Sequence, residues 1–186
     1  MMNKLAIFDL DGTLFDTRDV NFKAYDYAFR EYGYSLDRNK FIKEFNGRLY
    51  KAFMPEILGS EENMEDIHDL KVKMYPTFLC DAKMNKHLFE MIELIRKEYH
   101  IALVTTATYE NAMQILEHFD VKDRFDLILT QRDVVNKKPD PEGFLKAMKH
   151  FNVKPEDTIV FEDAPVGIAA ARAAGASILV VEDYKE

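Results

Sequence analysis

Five short apolar runs recur along this chain: Leu5-Ala6-Ile7-Phe8, Ile101-Ala102-Leu103-Val104, Leu127-Ile128-Leu129, Thr158-Ile159-Val160-Phe161 and Ile178-Leu179-Val180-Val181. An unbroken run of this length is the pattern of a strand covered on both faces. Stretches of helix length separate the last four. Ala112, Ile115, Leu116 and Phe119 fall at helical spacing in 109–119. Phe144, Leu145 and Met148 do the same in 141–150, behind Asp140 as the expected N-cap and Pro141 at the first helical position. The small-residue stretch 164–174 stops at Gly175. Strand alternating with helix predicts an α/β fold, a doubly wound parallel sheet with helices on both faces.

Residues 17–83 break this alternation. They hold no buried-strand pattern, only helical periodicities such as Phe22, Tyr25, Phe29 and Tyr32, read as packing rather than as a stacking platform. The acidic stretch 61–66 reads as a solvated helix start, and Asp16 as the cap of a helix beginning near Thr17. The organisation expected is a core of 1–16 and 84–186, with a helical module of 17–83 inserted after the first strand. Helix 84–98, with Leu88, Met91, Ile92 and Ile95 on one face, leads back to the sheet.

Bulk properties narrow the function. Hydrophobic residues make up 47% of the 186, enough for a proper core. The net charge of −8 argues against a nucleic-acid groove or an anionic membrane surface as partner. No apolar run approaches the ~20 residues that span a bilayer, and the opening residues are too soon interrupted by Asp9 to be a signal peptide. The single cysteine, Cys80, excludes an intramolecular disulfide and is expected to be buried or half-buried. A cytoplasmic monomer is expected. The five histidines have no metal-ligand spacing.

In an open parallel sheet, ligands bind beyond the carboxyl ends of the strands. The residues that follow the apolar runs are Asp9, Asp11 and Thr13; Thr105 and Thr106; Lys137 and Lys138, after the third run and its loop; and Glu162 and Asp163. Carboxylates from two strand ends make an all-oxygen site for a hard cation, Mg²⁺ by preference. A hydroxyl and a lysine supply donors and positive charge to a phosphate dianion. Asp9 and Asp11 can divide the work, one attacking phosphorus while the other protonates the leaving oxygen. Gly12 lets the chain turn sharply after Asp11 and lets the backbone approach the phosphate.

These residues closely resemble the motifs of the haloacid dehalogenase superfamily. Asp9-Leu10-Asp11-Gly12-Thr13 is similar to its first motif, Thr105 to the second, and Lys138-Pro139 to the third. Phe161-Glu162-Asp163-Ala164-Pro165-Val166-Gly167 resembles the fourth, in the form with Gly167 where other branches carry another acid. The resemblance covers nearly the whole chain, in the family's order. It implies strand order 5-4-1-2-3 with a helical cap at 17–83, and a Mg²⁺-dependent phosphatase acting on a small phosphorylated metabolite through an aspartyl-phosphate. It implies Asp9 as nucleophile and metal ligand, Asp11 as acid/base and backbone-carbonyl ligand, and Asp163 as carboxylate ligand. Thr105 and Lys138 would hold phosphoryl oxygens. Glu162 could brace these ligands or take a ligand place itself, and Arg48 could reach the substrate from the cap. Lys137 reads as a solvated neighbour.

Other readings are weaker. The dehalogenase and phosphonate-cleaving branches do not need Asp11. A β-phosphoglucomutase-like phosphomutase shares the cap type, but that branch has a hinge histidine where this chain has Asn21. A non-catalytic module of the same fold would be marked by a lost acid, and none is lost. A receiver domain would place its aspartate after a middle strand and would have no cap.

Overall fold

The computed structural model of the protein describes residues 3–182. The first two and last four positions, which the sequence reading assigns to the core, lie outside the described residues. Two compact units are present: Thr17–Ala82, and the remainder of the chain up to Asp16 and from Lys83.

The strands are β1 (Lys4–Phe8), β2 (Phe15–Asp16), β3 (Lys83–Met84), β4 (Tyr99–Val104), β5 (Leu127–Leu129), β6 (Thr158–Glu162) and β7 (Ser177–Val180). Helices α1 (Arg18–Glu31), α2 (Arg38–Lys40), α3 (Tyr50–Leu58) and α4 (Met64–Met74) belong to the inserted unit. Helices α5 (Lys86–Ile95), α6 (Tyr109–His118), α7 (Glu142–Phe151) and α8 (Pro165–Ala173) belong to the sheet unit.

Five strands form a parallel sheet in the order β5-β4-β1-β6-β7. Counted among themselves along the chain, that is the expected order 5-4-1-2-3. Right-handed crossovers fix which face each helix covers. The chain steps outward from β1 through β4 to β5, then returns to β6 and β7, so α5 and α6 lie on one face and α7 and α8 on the other. On the second face Leu5, Ile7, Ala102, Val104 and Val160 pack with Phe144 and Met148 of α7 and Ala170 and Ala171 of α8. Phe8 and Phe161 point the opposite way and stack at 4.4 Å. Side chains sealed this fully each contribute about 1.5–3 kcal/mol relative to exposure.

Two of the helix starts are held by side chains, the second of them one residue later than the Asp140 cap and Pro141 start expected. The Thr108 hydroxyl accepts from the Asn111 N–H at 3.1 Å, and Asp140 Oδ1 accepts from the Glu142 N–H at 2.9 Å, with regular helix beginning at Glu142. Other expectations are corrected. Asp16 does not cap a helix: it lies in β2 opposite Lys83 of β3, and α1 starts at Arg18 without a side-chain cap. Strand β7 is an edge, so Leu179 and Val180 are 41% and 50% exposed rather than buried on both faces. Cys80 is exposed, because Tyr75 and Leu79 of its short helical segment take the inward positions.

The inserted unit is built on aromatic packing. Tyr25, Phe29, Phe41, Phe45 and Phe53 form one buried cluster with Met54 and Ile67. Tyr25 meets Phe53 edge-on at 5.3 Å and Phe45 stacks on Phe53 at 5.5 Å. Such pairs add about 0.5–1.5 kcal/mol beyond burial. Lys71 is buried in this unit, its ammonium 5.1 Å from the Tyr25 ring centre and 4.6 Å from that of Tyr75. The quadrupoles of two rings offset part of its desolvation.

Candidate active site

The sheet reverses direction beside β1: the chain leaves β1 and its neighbour β6 toward opposite faces. A crevice therefore opens at the carboxyl ends of these two strands, the place where open α/β sheets bind ligands. Asp9 follows β1 directly, and its N–H prolongs the ladder by donating to the Phe161 carbonyl at 3.0 Å. Glu162 is the last residue of β6 and Asp163 the next. Carboxylate oxygens of Asp9, Glu162 and Asp163 lie within 4.8 Å of one another.

Lys138 enters this acidic group from the segment before α7. Its Nζ donates to Asp9 Oδ1 at 2.6 Å, to Glu162 Oε1 at 2.7 Å and to the Val104 carbonyl at 3.1 Å. An ammonium has three N–H donors, and each has an acceptor. Glu162 Oε2 in turn accepts from the Ala164 N–H at 2.8 Å, so this fully buried carboxylate is held at both oxygens. Thr13 Oγ1 donates to Asp163 Oδ1 at 2.8 Å.

Two glycines make room for the acids. Gly12, at φ +91°, faces Asp163, and any Cβ there would overlap the Asp163 carboxylate. A Cβ on Gly167, in the first turn of α8, would overlap the Glu162 carboxylate. Gly167 thus leaves the volume that Glu162 occupies.

Three acids are grouped beside one ammonium, which bonds only Asp9 and Glu162, and the electrostatics follow. Burial, reinforced by the charges of Glu162 and Asp11, pushes the Asp9 carboxyl well above its usual range, although Lys138 pulls it down. Burial, again with help from Glu162 and Asp11, pushes Asp163 up to about 6 against the hydrogen bond from Thr13. Burial pulls the Lys138 ammonium down, but Asp9 and Glu162 together outweigh it and leave it raised. Lys138 is therefore held as a cation, but one ammonium cannot balance three ionised acids, so the acids resist losing all their protons without a further cation. Hard oxygen donors of this kind fit a small divalent cation.

The other residues singled out in the sequence are placed as follows. Thr105 is buried; its Oγ1 accepts from the Ala107 N–H at 3.0 Å and retains a proton to donate. Thr105 and Lys138 both line a narrow crevice with Thr130 and Asn136. Asp11 is half-buried on the turn after β1, where the Gly12 N–H donates to the Phe15 carbonyl at 2.7 Å; its carboxylate is not one of the three grouped oxygens. Lys137 donates to Gln131 Oε1 at 2.8 Å. Arg48 is engaged inside its own unit, pairing with Glu56 Oε1 at 2.5 Å and donating to the carbonyls of Glu44 and Ala52. Sequence reasoning gave no role to Thr13 or Glu142. The position of Thr13, two residues beyond Asp11, was its only signal.

A parallel α/β sheet with a carboxylate and lysine cluster at its reversal point defines the class: a doubly wound α/β scaffold with its site at the strand ends. Residues 6–181 match the family model described as haloacid dehalogenase-like hydrolase, and the chain belongs to that family. It is 32% identical over 177 residues to a phosphorylated carbohydrates phosphatase of Thermotoga maritima, covering 91% of this chain and 81% of that protein. It is 32% identical over 179 residues to validoxylamine A 7'-phosphate phosphatase of Streptomyces hygroscopicus subsp. limoneus, covering 94% and 83%. Among solved structures, β-phosphoglucomutase of Clostridium difficile superposes with a TM-score of 0.80 at 27% identity, covering 98% of this chain and 86% of that one.

Proposed function

We propose that this chain is a magnesium-dependent phosphatase that hydrolyses small phosphomonoesters, phosphorylated sugars foremost, through an aspartyl-phosphate on Asp9. The observation that carries the reading is the meeting of Asp9, Glu162 and Asp163 at the sheet's reversal point, with Lys138 bonded to the first two. The named activities of the phosphatase relatives support the substrate class.

A carboxylate of Asp9 attacks phosphorus, the new O–P bond forms, and the ester O–P bond breaks as Asp11 gives its proton to the leaving alcohol. Asp11 then takes a proton from water, which attacks the same phosphorus. Inorganic phosphate departs and the Asp9 carboxylate is restored. Carboxylates of Asp9 and Asp163 and the backbone carbonyl of Asp11 would hold Mg²⁺, which when bound neutralises phosphoryl charge. Lys138 and the Thr105 hydroxyl receive phosphoryl oxygens; because all three Lys138 donors already have acceptors, one must be re-aimed. Glu162 anchors Lys138. The helical unit Thr17–Ala82 is taken as the cap of this family.

Water is the expected acceptor. Asn21, where the mutase branch has histidine, donates through its amide to Thr17 Oγ1 at 3.3 Å and is neither acid nor base. Phosphate release from a panel of sugar phosphates, with Mg²⁺ and then with excess chelator, tests the reading. Release that depends on the metal is expected; full activity in chelator would sink the mechanism. Following a hexose 1-phosphate by phosphorus NMR separates the mutase, which would yield isomerised sugar phosphate without free phosphate.

A further inference from the structure

The chain between β5 and α7 delivers Lys138, yet it has little regular structure of its own. A single helical turn at Gln131–Asp133 gives way to irregular chain up to Pro141, and Val135 is 86% exposed. The backbone N–H groups of such a segment need acceptors from elsewhere. Glu142, the first residue of α7, supplies two. Its Oε1 accepts from the Val135 N–H at 2.9 Å and its Oε2 from the Asn136 N–H at 2.7 Å.

The clamp is itself braced. Lys146, one turn along α7, pairs with Glu142 Oε1 at 2.7 Å and donates to the Asp133 carbonyl at 2.7 Å. Asp140 accepts the N–H of Glu142, while its own N–H donates to the Lys137 carbonyl at 3.0 Å. Asp133 Oδ2 closes the preceding turn by accepting from both the N–H and the hydroxyl of Thr130. The Lys146 ammonium and the two amides hold the Glu142 carboxyl down to about 2, so it stays ionised at any working pH. Charge-assisted bonds of this kind are roughly twice as strong as neutral ones.

We propose that Glu142 is a positioning residue: by clamping the amides of Val135 and Asn136, it fixes the backbone two residues ahead of Lys138. The setting of the Lys138 ammonium against Asp9 and Glu162 then depends on it. This rests on the reading of Lys138 as the cation of the phosphoryl site. Lys138 spans three acceptors at 2.6, 2.7 and 3.1 Å, so a backbone displacement of the order of 1 Å would break the set.

Glu142→Gln keeps the size but turns one acceptor oxygen into a donor facing an N–H. Its kcat/KM for an aryl phosphate is expected to fall about 10- to 100-fold, the usual scale for misplacing a reacting group. Inhibition by orthophosphate should weaken in parallel. In a Lys138→Met background, adding Glu142→Gln should change the rate by less than about twofold, because the effect travels through Lys138. A Glu142→Gln enzyme at the wild-type rate, or an equal loss on top of Lys138→Met, would overturn the proposal. Lys138→Met at the wild-type rate would instead overturn the reading beneath it. Amide hydrogen exchange needs no variant: the Val135 and Asn136 amides should exchange slowly despite the exposed chain, and fast exchange at both would refute the clamp.

Discussion

Lys138 and Asp163 show how a single side chain carries the chemistry here. Lys138 is buried with all three donors engaged and kept charged by two carboxylates. Removing Lys138 leaves two buried carboxylates without their cation, which costs about 3–5 kcal/mol. Asp9→Asn keeps the shape and removes the attacking charge, so turnover should fall by about three orders of magnitude or more in a steady-state assay with Mg²⁺. Asp163 makes a prediction about pH. Its folded pKa, about 6, lies above its ordinary value of 3.8, so the folded chain binds this proton more tightly than the unfolded chain. Stability from this group is therefore present at low pH and is lost as pH rises through that interval. A bound cation relieves the same repulsion. Mg²⁺ should raise the melting temperature clearly at neutral pH and much less at about pH 5, where protons compete for Asp163. An equal shift at both pH values would count against Asp163 as a ligand.

Strands and helices set these side chains by contacts that a chain reading sees only in part. Gly167→Ala puts a methyl where the Glu162 carboxylate sits, so Glu162 must move away from Lys138 and the Ala164 N–H. A kcat/KM loss of at least about tenfold is expected, with about 1–3 kcal/mol of destabilisation from overpacking. Kinetics beside a urea melt check both, and unchanged activity would show that Glu162 has room to shift. Much of this architecture was legible in the sequence. Uniform apolar runs announce central strands, and the polar residues that follow mark their carboxyl ends. That pattern overstates the burial of β7, because position in the sheet, not composition, makes an edge. It is silent on Glu142, which bonds amides six and seven residues earlier in an irregular segment where no periodicity operates. The buried Lys71 was equally hidden, since its two aromatic neighbours come from α1 and from the segment after α4.

The molecule as a whole carries a net charge of −8, yet its proposed substrates are anions. Local charge has to reverse that balance, through Lys138 and the proposed divalent cation at one point of the sheet. Among the described residues no helix is long and apolar enough to cross a membrane. The two compact units each have their own apolar cluster, so they should respond separately to core damage. Phe53, 1% exposed, is central to the inserted unit, and Phe53→Ala should cost that unit about 3–5 kcal/mol. In urea, exchange protection should be lost first across 17–82; loss first in β1 and β4 would contradict separate cores. The decisive observation concerns Asp9. Enzyme mixed with a sugar phosphate and Mg²⁺, quenched in acid within a turnover and digested, should yield a phosphorylated peptide containing Asp9, absent from Asp9→Asn. Steady release of phosphate with no phosphoryl group on Asp9, or with the group on another residue, would contradict the mechanism.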